Sequence, residues 1–243
     1  MSRQSAVGLI FIRTLFVGIA ASCGVPLESN SNSSPDDDSV SGIQEIESLG
    51  ERATFRVTVQ NVTAGNGLSP SLVVAHSDEF GLFKVGAAAS PGIAQVAETG
   101  GTSLLEQELS SAKGVIAVAK AEGGPIGAGQ TRAIEFTLPT WQVKSSRFNI
   151  ISMIGRSNDS FVSAPQGIAL RSVGRKSLVV QLINFDAGSE ENTGNVEDFG
   201  PGGHPTANAE KIISYDRGLN PRGNAPEIAA WGPTAAVISI ERL

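Results

Sequence analysis

A two-residue alternation of apolar and polar side chains, which begins near Arg52, is the feature that most constrains the fold. In residues 54–60, Phe55, Val57 and Val59 fall on one side of an extended chain, and the intervening polar residues fall on the other. Similar patterns predict further strands at residues 114–120, 133–138, 147–154, 177–185 and 235–240. Turns rich in Gly, Pro, Asn and Ser separate these runs, so we predict an all-β protein with an antiparallel β-sandwich.

Short helices are expected in the connections between strands. Ser90 can cap a helix with Pro91 at its first position and Gly100 beyond its end, and residues 103–106 have the form of a capping box. The glycine-rich run at residues 123–129 lacks the Lys-Ser/Thr pair of a phosphate loop. We therefore predict that this run is a hairpin connection.

Composition and charge limit the possible partners. The chain has 243 residues, of which 40% are hydrophobic, and its 18 basic and 24 acidic side chains give a net charge of −6. If a leader that contains Arg3 and Arg13 is removed, 16 basic and 24 acidic side chains remain, which gives a net charge of −8. Phosphate contacts require clustered basic residues, and the sequence contains no Lys/Arg run. We therefore predict no nucleic-acid partner.

The first residues have the pattern of an export signal. Arg3 and Arg13 precede an apolar stretch at residues 14–22 that meets the only cysteine, Cys23. Small residues before a lone cysteine resemble the lipobox of bacterial lipoproteins, which predicts a lipoprotein signal peptide at residues 1–22 and a lipid on Cys23. The alternative is an ordinary secretory signal cleaved near residues 20–22. Both alternatives predict an exported protein without disulfides.

A polar segment follows the candidate lipidation site. Residues 23–50 are rich in Ser, Asn and Asp and offer almost nothing to bury, so we predict a flexible tether. The globular domain is then expected at residues 51–243. The Asp36–Asp38 run lacks the spacing of an EF-hand loop and is interpreted as solvated linker.

The sequence lacks the usual motifs of hydrolytic catalysis. It has no Gly-x-Ser-x-Gly elbow, and its two histidines, His76 and His204, give little material for a catalytic triad or a zinc site. His76 follows a strand and is interpreted as a hydrogen-bonded structural residue. His204 lies in a Gly- and Pro-containing segment that we predict to be a mobile loop.

Two polar turns carry carboxylates at the ends of predicted strands. Residues 152–159 end in Asp159, and residues 184–190 contain Asp186 and Glu190. If the strands are neighbours, these three carboxylates meet at one end of a sheet and repel one another unless a cation lies between them. Ca²⁺ takes six to eight oxygen ligands, which such turns can supply without His or Cys. From the residues alone, the alternative is that Asp186 and Glu190 simply solvate a turn.

Several short motifs, in order along the chain, resemble the spondin N-terminal domain. They are Leu68-Ser69-Pro70, His76 to Phe83, Gly86, Ala89 to Gly92, Val96 to Gly100, Ser152 to Asp159 and Asp186 to Glu190. The resemblance runs from about Phe55 to the C terminus. It implies a C2-like β-sandwich of the kind found in secreted matrix and adhesion proteins of animals and in exported bacterial proteins.

The resemblance also implies a calcium site. The family binds one Ca²⁺ through an acidic residue after its Ser-Met-Ile-Gly strand and two in its Asp-Ala-Gly motif, which correspond to Asp159, Asp186 and Glu190. Two positions depart from the family pattern. Ser160 stands where Trp is usual, and Glu190 stands where Asp is usual. Glu remains a hard oxygen donor, so the second change is compatible with calcium.

These observations predict an exported calcium-binding domain with a non-enzymatic adhesion or ligand-binding role, either anchored in the periplasm or on the outer cell surface, or secreted. The expected partner is an unidentified protein or polysaccharide outside the cytoplasm, and the membrane is contacted only through Cys23. Two alternatives stay open. One is a hydrolase of surface polymers that uses Asp159 and Asp186, and the other is a purely structural envelope lipoprotein.

Overall fold

The computed structural model describes residues 50–200 and 206–243. The predicted signal peptide, all of the predicted tether except Gly50, and both Cys23 and His204 lie outside the described residues. The described chain forms two β-sheets packed face to face, with two short α-helices on the outer face of the second sheet. All pairings between strands are antiparallel. The prediction of an all-β antiparallel sandwich is therefore confirmed.

The first sheet has four strands in the order β4-β1-β11-β8. Their bounds are Arg52–Asn61 for β1, Thr131–Pro139 for β4, Leu178–Gln181 for β8 and Ala236–Arg242 for β11. Strand β1 lies in the middle of this sheet and pairs along most of its length with both β4 and β11. The alternation predicted for β1 is confirmed, because Phe55, Val57 and Val59 are buried in the core between the sheets.

The second sheet has the order β10-β9-β6-β5-β2-β3, and β7 pairs with β5 outside this path. The bounds are Leu72–Ser77 for β2, Val115–Lys120 for β3, Ser146–Met153 for β5, Ser160–Ser163 for β6, Ile168–Ala169 for β7, Ile183–Asp186 for β9 and Ser214–Tyr215 for β10. Strands β2, β5 and β6 are buried on both faces. Their near-continuous burial explains why β2 and β5 do not alternate cleanly in sequence.

Helices α1 (Pro91–Thr99) and α2 (Ser103–Ser111) cover the outer face of the second sheet. Their apolar side chains pack on Phe161 and Phe185, whose rings stack with centroids 5.5 Å apart. A third ring, Phe83, meets both edge to face. The second core therefore lies directly beneath the end of β9, which carries Asp186.

The prediction for α1 is confirmed. Ser90 caps the helix by accepting a hydrogen bond from the backbone N–H of Ile93 (3.2 Å), and Gly100 ends it in the left-handed region with φ 69°. The capping box at residues 103–106 is wrong, because Thr102 is the N-cap of α2 and Ser103 lies inside the helix. The backbone N–H of Leu104 is instead satisfied by the side chain of Gln95 at 2.9 Å.

Two connections differ from the sequence predictions. The single strand expected at residues 177–185 is two strands, since β8 belongs to the first sheet and β9 to the second. The chain crosses between the sheets at Leu182, whose buried side chain contributes to the core between them. Residues 123–129 also join different sheets, β3 to β4, so they do not form the predicted hairpin. Period-two patterns cannot show when a strand changes sheets.

The part of the chain that the structure describes also contains four 3-10 helices: Thr140–Ser145, Leu170–Ser172, Val196–Asp198 and Glu227–Ala229. The interpretation of His76 as a structural residue is confirmed. It is fully buried, with Nδ1 2.8 Å from the Ser77 carbonyl oxygen and Nε2 2.6 Å from Oδ1 of Asn149. Both ring nitrogens are therefore occupied by hydrogen bonds within the domain.

Candidate metal centre

Asp159 lies in the tight connection between β5 and β6. The hydroxyl of Ser157 shapes this turn, because it donates to the Ile154 carbonyl oxygen (2.6 Å) and accepts from the Ser160 backbone N–H (3.1 Å). A short polar residue is required for this double role. The turn places Asp159 immediately before the first residue of β6.

Asp186 is the last residue of β9, and the register of the sheet places it beside the β5–β6 turn. It is paired with Ser160 of β6 on one side and with Ser214 of β10 on the other. The backbone N–H of Ala187 donates to the Asp159 carbonyl oxygen at 3.1 Å. The predicted convergence of the two turns is therefore present in the structure.

Glu190 follows in a turn whose amides surround the carboxylate of Asp159. Oδ2 of Asp159 accepts hydrogen bonds from the Ser189 backbone N–H (2.6 Å), the Ser189 hydroxyl (3.1 Å) and the Glu190 backbone N–H (2.9 Å). Oδ1 of Asp186 accepts one from the Gly188 backbone N–H at 2.7 Å. Asp159 and Asp186 thus hold the turn that carries Glu190.

Gly188 makes this turn possible. Its φ is 68°, a left-handed conformation that other residues rarely adopt, and a Cβ added there would lie 2.4 Å from the Ile212 carbonyl oxygen. Its own carbonyl oxygen accepts a hydrogen bond from the Lys211 backbone N–H at 2.8 Å. The expectation that Gly188 permits a sharp turn is confirmed.

The three carboxylates are buried, and two of their oxygens lack partners. Asp159 is 1% exposed, and Asp186 and Glu190 are each 6% exposed. Oδ1 of Asp159 and Oε2 of Glu190 are buried and accept no hydrogen bond from the described residues. Buried polar atoms in native structures are nearly always satisfied, by protein, by water or by an ion. These two oxygens therefore have free lone pairs for a water or a cation.

Burial and mutual repulsion disfavour the charged forms of all three groups. The pKa of Asp186 is raised to about 8, mainly by burial, with smaller contributions from repulsion by Asp159 and by Glu210. The pKa of Glu190 is also raised to about 8, mainly by burial, with smaller contributions from repulsion by Glu98 and by Asp159. Burial also raises the pKa of Asp159, although the hydrogen bonds from Glu190 and Ser189 oppose the change. Among the described residues, no Lys or Arg forms an ion pair with any of the three carboxylates.

Sequence reasoning missed several acidic residues around this cluster. Glu210 repels both Asp159 and Asp186, while Glu98 and Asp198 repel Glu190. Glu210 and Asp198 come from long connections with no recognisable motif, and Glu98 lies near the end of α1. Their proximity depends on the tertiary fold, so no pattern in the sequence could have identified them.

A further carboxylate, Asp216, has a structural role next to the cluster. It accepts a hydrogen bond from the indole N–H of Trp231, and burial raises its pKa. Trp231 is 3% exposed, so it anchors a loop. Ser160, which stands where the resemblance leads us to expect Trp, is buried and hydrogen-bonds to Asp216. The hydroxyl that Ser160 introduces in place of the usual Trp therefore has a hydrogen-bond partner.

The side chains do not form a complete coordination shell as they stand. Within residues 50–200 and 206–243, no three His, Cys, Asp or Glu side chains are arranged to hold a metal ion. A cavity of about 370 Å³ opens beside Asp186 and is lined by polar residues that include Asn192, Glu210, Ser214 and Arg217. The cavity therefore borders the cluster at Asp186, on the side of β10.

The fold and the cluster define a β-sandwich domain with buried carboxylates at one end. The Spondin_N family model matches residues 59–214, which is more than half of the chain. The chain therefore belongs to the spondin N-terminal family. The match runs from β1 to β10 and includes both carboxylate-bearing turns.

Family membership indicates an extracellular, adhesion-type domain, and the family is in general non-enzymatic. No curated protein matches the chain. None of the helices in the described residues has the length and apolar character needed to cross a membrane.

Proposed function

We propose that this protein is an exported calcium-binding domain with a non-enzymatic adhesion or ligand-binding role, and that Asp159, Asp186 and Glu190 hold one Ca²⁺. The observation that supports the proposal most directly is the pair of unpartnered, buried carboxylate oxygens on Asp159 and Glu190. Carboxylate oxygens are the ligands that Ca²⁺ prefers, and this cluster contains no nitrogen or sulfur donor.

The energetics of the cluster also favour a cation. Burying one carboxylate without a partner is costly, and burying three beside one another adds repulsion between like charges. Protonation relieves part of this cost, which explains why the pKa values of Asp186 and Glu190 are raised to about 8. A divalent cation would relieve it while all three groups are charged. Calcium binding is therefore expected to release protons.

Calcium binding requires side-chain movements that bring the three carboxylates to a shared centre. Oδ2 of Asp159 is fixed by three donors, whereas Oδ1 is unpartnered. Glu190 has one more rotatable side-chain bond than Asp and an unpartnered Oε2, so it can reach toward a shared centre. Carbonyl oxygens of the turns and water would supply the remaining ligands of a six- to eight-coordinate ion.

The hydrolase alternative receives less support. A general acid must reach the substrate, but Asp159 is 1% exposed and its Oδ2 accepts three hydrogen bonds within the domain. The spondin N-terminal family is in general non-enzymatic. We therefore propose that Asp159 and Asp186 hold an ion and do not act on a substrate.

Family membership supports placement outside the cytoplasm. The lipid anchor on Cys23 and a protein or polysaccharide partner remain part of this proposal. The purely structural alternative predicts no partner. A pull-down of cell-surface polymers and proteins by the purified protein, with calcium and with chelator, distinguishes the two. Capture that requires calcium supports an adhesion role, and absence of capture in both conditions supports a structural role.

Thermal unfolding of chelator-treated protein tests the calcium site. Calcium at 100 times its dissociation constant stabilises the folded state by about 2.7 kcal/mol. For a domain of this size we expect the melting temperature to rise by about 5–11 °C. The same concentration of Mg²⁺ is expected to have a smaller effect, because Mg²⁺ requires stricter octahedral geometry.

Matched variants assign the effect to the cluster. Asp186→Ala or Glu190→Gln is expected to remove most of the calcium-dependent shift. Glu122→Gln makes the same chemical change as Glu190→Gln at an exposed residue, and this variant should keep the full calcium-dependent rise in melting temperature. An unchanged melting curve when calcium is added to the chelator-treated wild-type protein would refute the proposed site.

A further inference from the structure

The end of the sandwich opposite the carboxylate cluster carries a group of exposed basic residues around a tryptophan. The 3-10 helix Thr140–Ser145 follows β4, and it lies against the 3-10 helix Leu170–Ser172. Their apolar side chains, Val143 and Leu170, are buried in the core between the sheets. These buried contacts fix the positions of the exposed residues in the same two segments.

We call this surface the basic end and define it by Trp141, Lys144, Arg171, Arg175 and Lys176. Trp141 is 55% exposed, although Trp is usually well buried. Residues three apart in a 3-10 helix lie on the same side, so Trp141 and Lys144 project together. The other three basic residues are exposed as well. Lys144 therefore shares a surface with Trp141, and Arg171, Arg175 and Lys176 lie in or just after the adjacent 3-10 helix.

Most of this charge is not neutralised within the domain. Among the described residues, no carboxylate forms an ion pair with Lys144, Arg175 or Lys176. Asp78 lies 3.6 Å from Arg171 and is shared with Arg147. Other acidic residues near this 3-10 helix include Glu51 and Glu79, which are both exposed.

The basic end is also where the described chain begins. Arg52 pairs with Pro139, and the backbone N–H of Thr140 donates to the Glu51 carbonyl oxygen at 2.9 Å. The chain before Gly50 therefore joins the domain next to Trp141. The candidate lipidation site, Cys23, is 27 residues before Gly50 in the sequence, a distance of at most about 90 Å for an extended chain.

We propose that the basic end rests on an anionic lipid bilayer, with the indole of Trp141 at the interface and the four cations against lipid phosphates. Trp is favoured at the boundary between headgroups and acyl chains, and clustered Lys and Arg are attracted to anionic lipids. This contact adds to any lipid on Cys23, and it does not depend on the calcium site.

The charge distribution fixes the orientation of such a contact. The whole chain carries a net charge of −6, so an anionic surface repels it on average. Strand β1 has 10 residues, which at about 3.3 Å each separates the two ends of the sandwich by about 30 Å. That distance is several Debye lengths at physiological ionic strength, where one is about 8 Å. The bilayer therefore interacts mainly with the basic end, and the carboxylate end points away from it.

Vesicle binding tests this proposal with residues 23–243 carrying Cys23→Ser, a form that lacks the apolar leader with Arg3 and Arg13 and cannot be lipidated. Vesicles of pure phosphatidylcholine are compared with vesicles containing 30% phosphatidylglycerol, all in chelator so that calcium plays no part. We expect binding only to the anionic vesicles and loss of binding at high salt. Trp141 fluorescence should shift to the blue, while Trp231, which is 3% exposed, gives a constant background.

Two triple variants separate local from overall charge. Lys144→Glu/Arg175→Glu/Lys176→Glu is expected to weaken binding at least about 100-fold, since each basic residue near an anionic surface is worth about fivefold in affinity. Lys84→Glu/Arg156→Glu/Arg222→Glu changes net charge equally at exposed residues elsewhere and should weaken it far less. Trp141→Ala should abolish the blue shift and reduce affinity.

Several results would overturn the proposal. One is failure of the protein to bind anionic vesicles, another is equal binding to both kinds of vesicle, and a third is binding without a blue shift of Trp141 fluorescence. An equal loss of vesicle affinity in the two triple variants would also count against it. Equally tight, calcium-free binding of a soluble polyanion through the same residues would also overturn it, because the basic end would then be a general polyanion site. Since the assay contains chelator, none of these results bears on whether calcium binds at the opposite end.

Discussion

Replacing Asp186 with Asn should stabilise the protein in chelator at pH 8 and destabilise it in saturating calcium at the same pH. Asn has almost the same shape and keeps an oxygen that can accept the hydrogen bond from the Gly188 backbone N–H. The substitution therefore removes the charge with little other change. Because Asp186 is buried among like charges, removing its charge is favourable without a cation. It is unfavourable when a cation needs the carboxylate.

The pH dependence follows from the raised pKa. The pKa of Asp186 is about 8 in the folded protein, against an ordinary value of 3.8. Between these values the folded state binds a proton that the unfolded state has lost. The contribution of Asp186 to stability is thus fully present at low pH and is lost as the pH rises toward 8.

The size of the effect comes from the same linkage. One proton contributes about 1.4 kcal/mol for each pH unit, so about 4 kcal/mol is the upper bound between pH 5 and pH 8. Relaxation and water entry reduce such penalties in real proteins, so we expect about 2–4 kcal/mol. In chelator, Asp186→Asn should match the wild type only below about pH 4, where the carboxyl group is protonated in both states, and its stability advantage should grow by this amount from pH 5 to pH 8. In saturating calcium at pH 8, the order should reverse.

Urea unfolding at pH 5, 6, 7 and 8, with chelator and with calcium, measures these differences directly. Comparing variant and wild type cancels the titration of groups that both proteins share. The exposed substitution Glu122→Gln provides the control and should show no such pH dependence. The reasoning fails if Asp186→Asn is the less stable protein in chelator at pH 8, or if the difference is constant from pH 5 to pH 8.

Two further predictions concern the turn and the helices that position the cluster. Gly188→Ala should lower stability by more than Gly129→Ala and should also remove the calcium-dependent shift. Both glycines have positive φ, at a cost of about 1–2 kcal/mol for Ala, but only at Gly188 would the Cβ meet backbone, 2.4 Å from the Ile212 carbonyl oxygen. Equal losses in urea unfolding would contradict this account. Glu108→Gln should cost about 1–2 kcal/mol, because Glu108 accepts hydrogen bonds from Ser90 and from the Gly92 backbone N–H, both at 2.7 Å, at the start of α1. A loss no larger than that of Glu122→Gln would contradict it.

The sequence was a good guide where one local rule determined the outcome. The alternation at residues 54–60 predicted the buried face of β1, because β1 has one face in the core and one in solvent. Ser90, Pro91 and Gly100 predicted α1, because caps act within a few residues. The convergence of the turns that carry Asp159 and Asp186 was also predicted correctly, but the two predicted strands are not neighbours, because β6, which was not predicted, lies between β5 and β9.

The failures share one physical cause, which is the dependence of local structure on distant contacts. The run at residues 177–185 has the composition of one strand, yet packing at Leu182 divides it between two sheets. Ser103 has the form of a cap, but Gln95 of the neighbouring helix satisfies the first turn of α2. Glu210 reaches the carboxylate cluster from a connection with no periodic pattern.

If the protein is anchored through Cys23, as proposed, the central position of β1 has a mechanical consequence. The chain enters at the start of β1, and the carboxylate cluster lies at the opposite end of the sandwich. A force between these points runs along the strand axis, parallel to β1. The strand is paired on both sides, from Arg52 to Gln60 with β4 and from Phe55 to Asn61 with β11. Such a load shears many hydrogen bonds at once and cannot open them one after another, so β1 is expected to resist extraction by pulling.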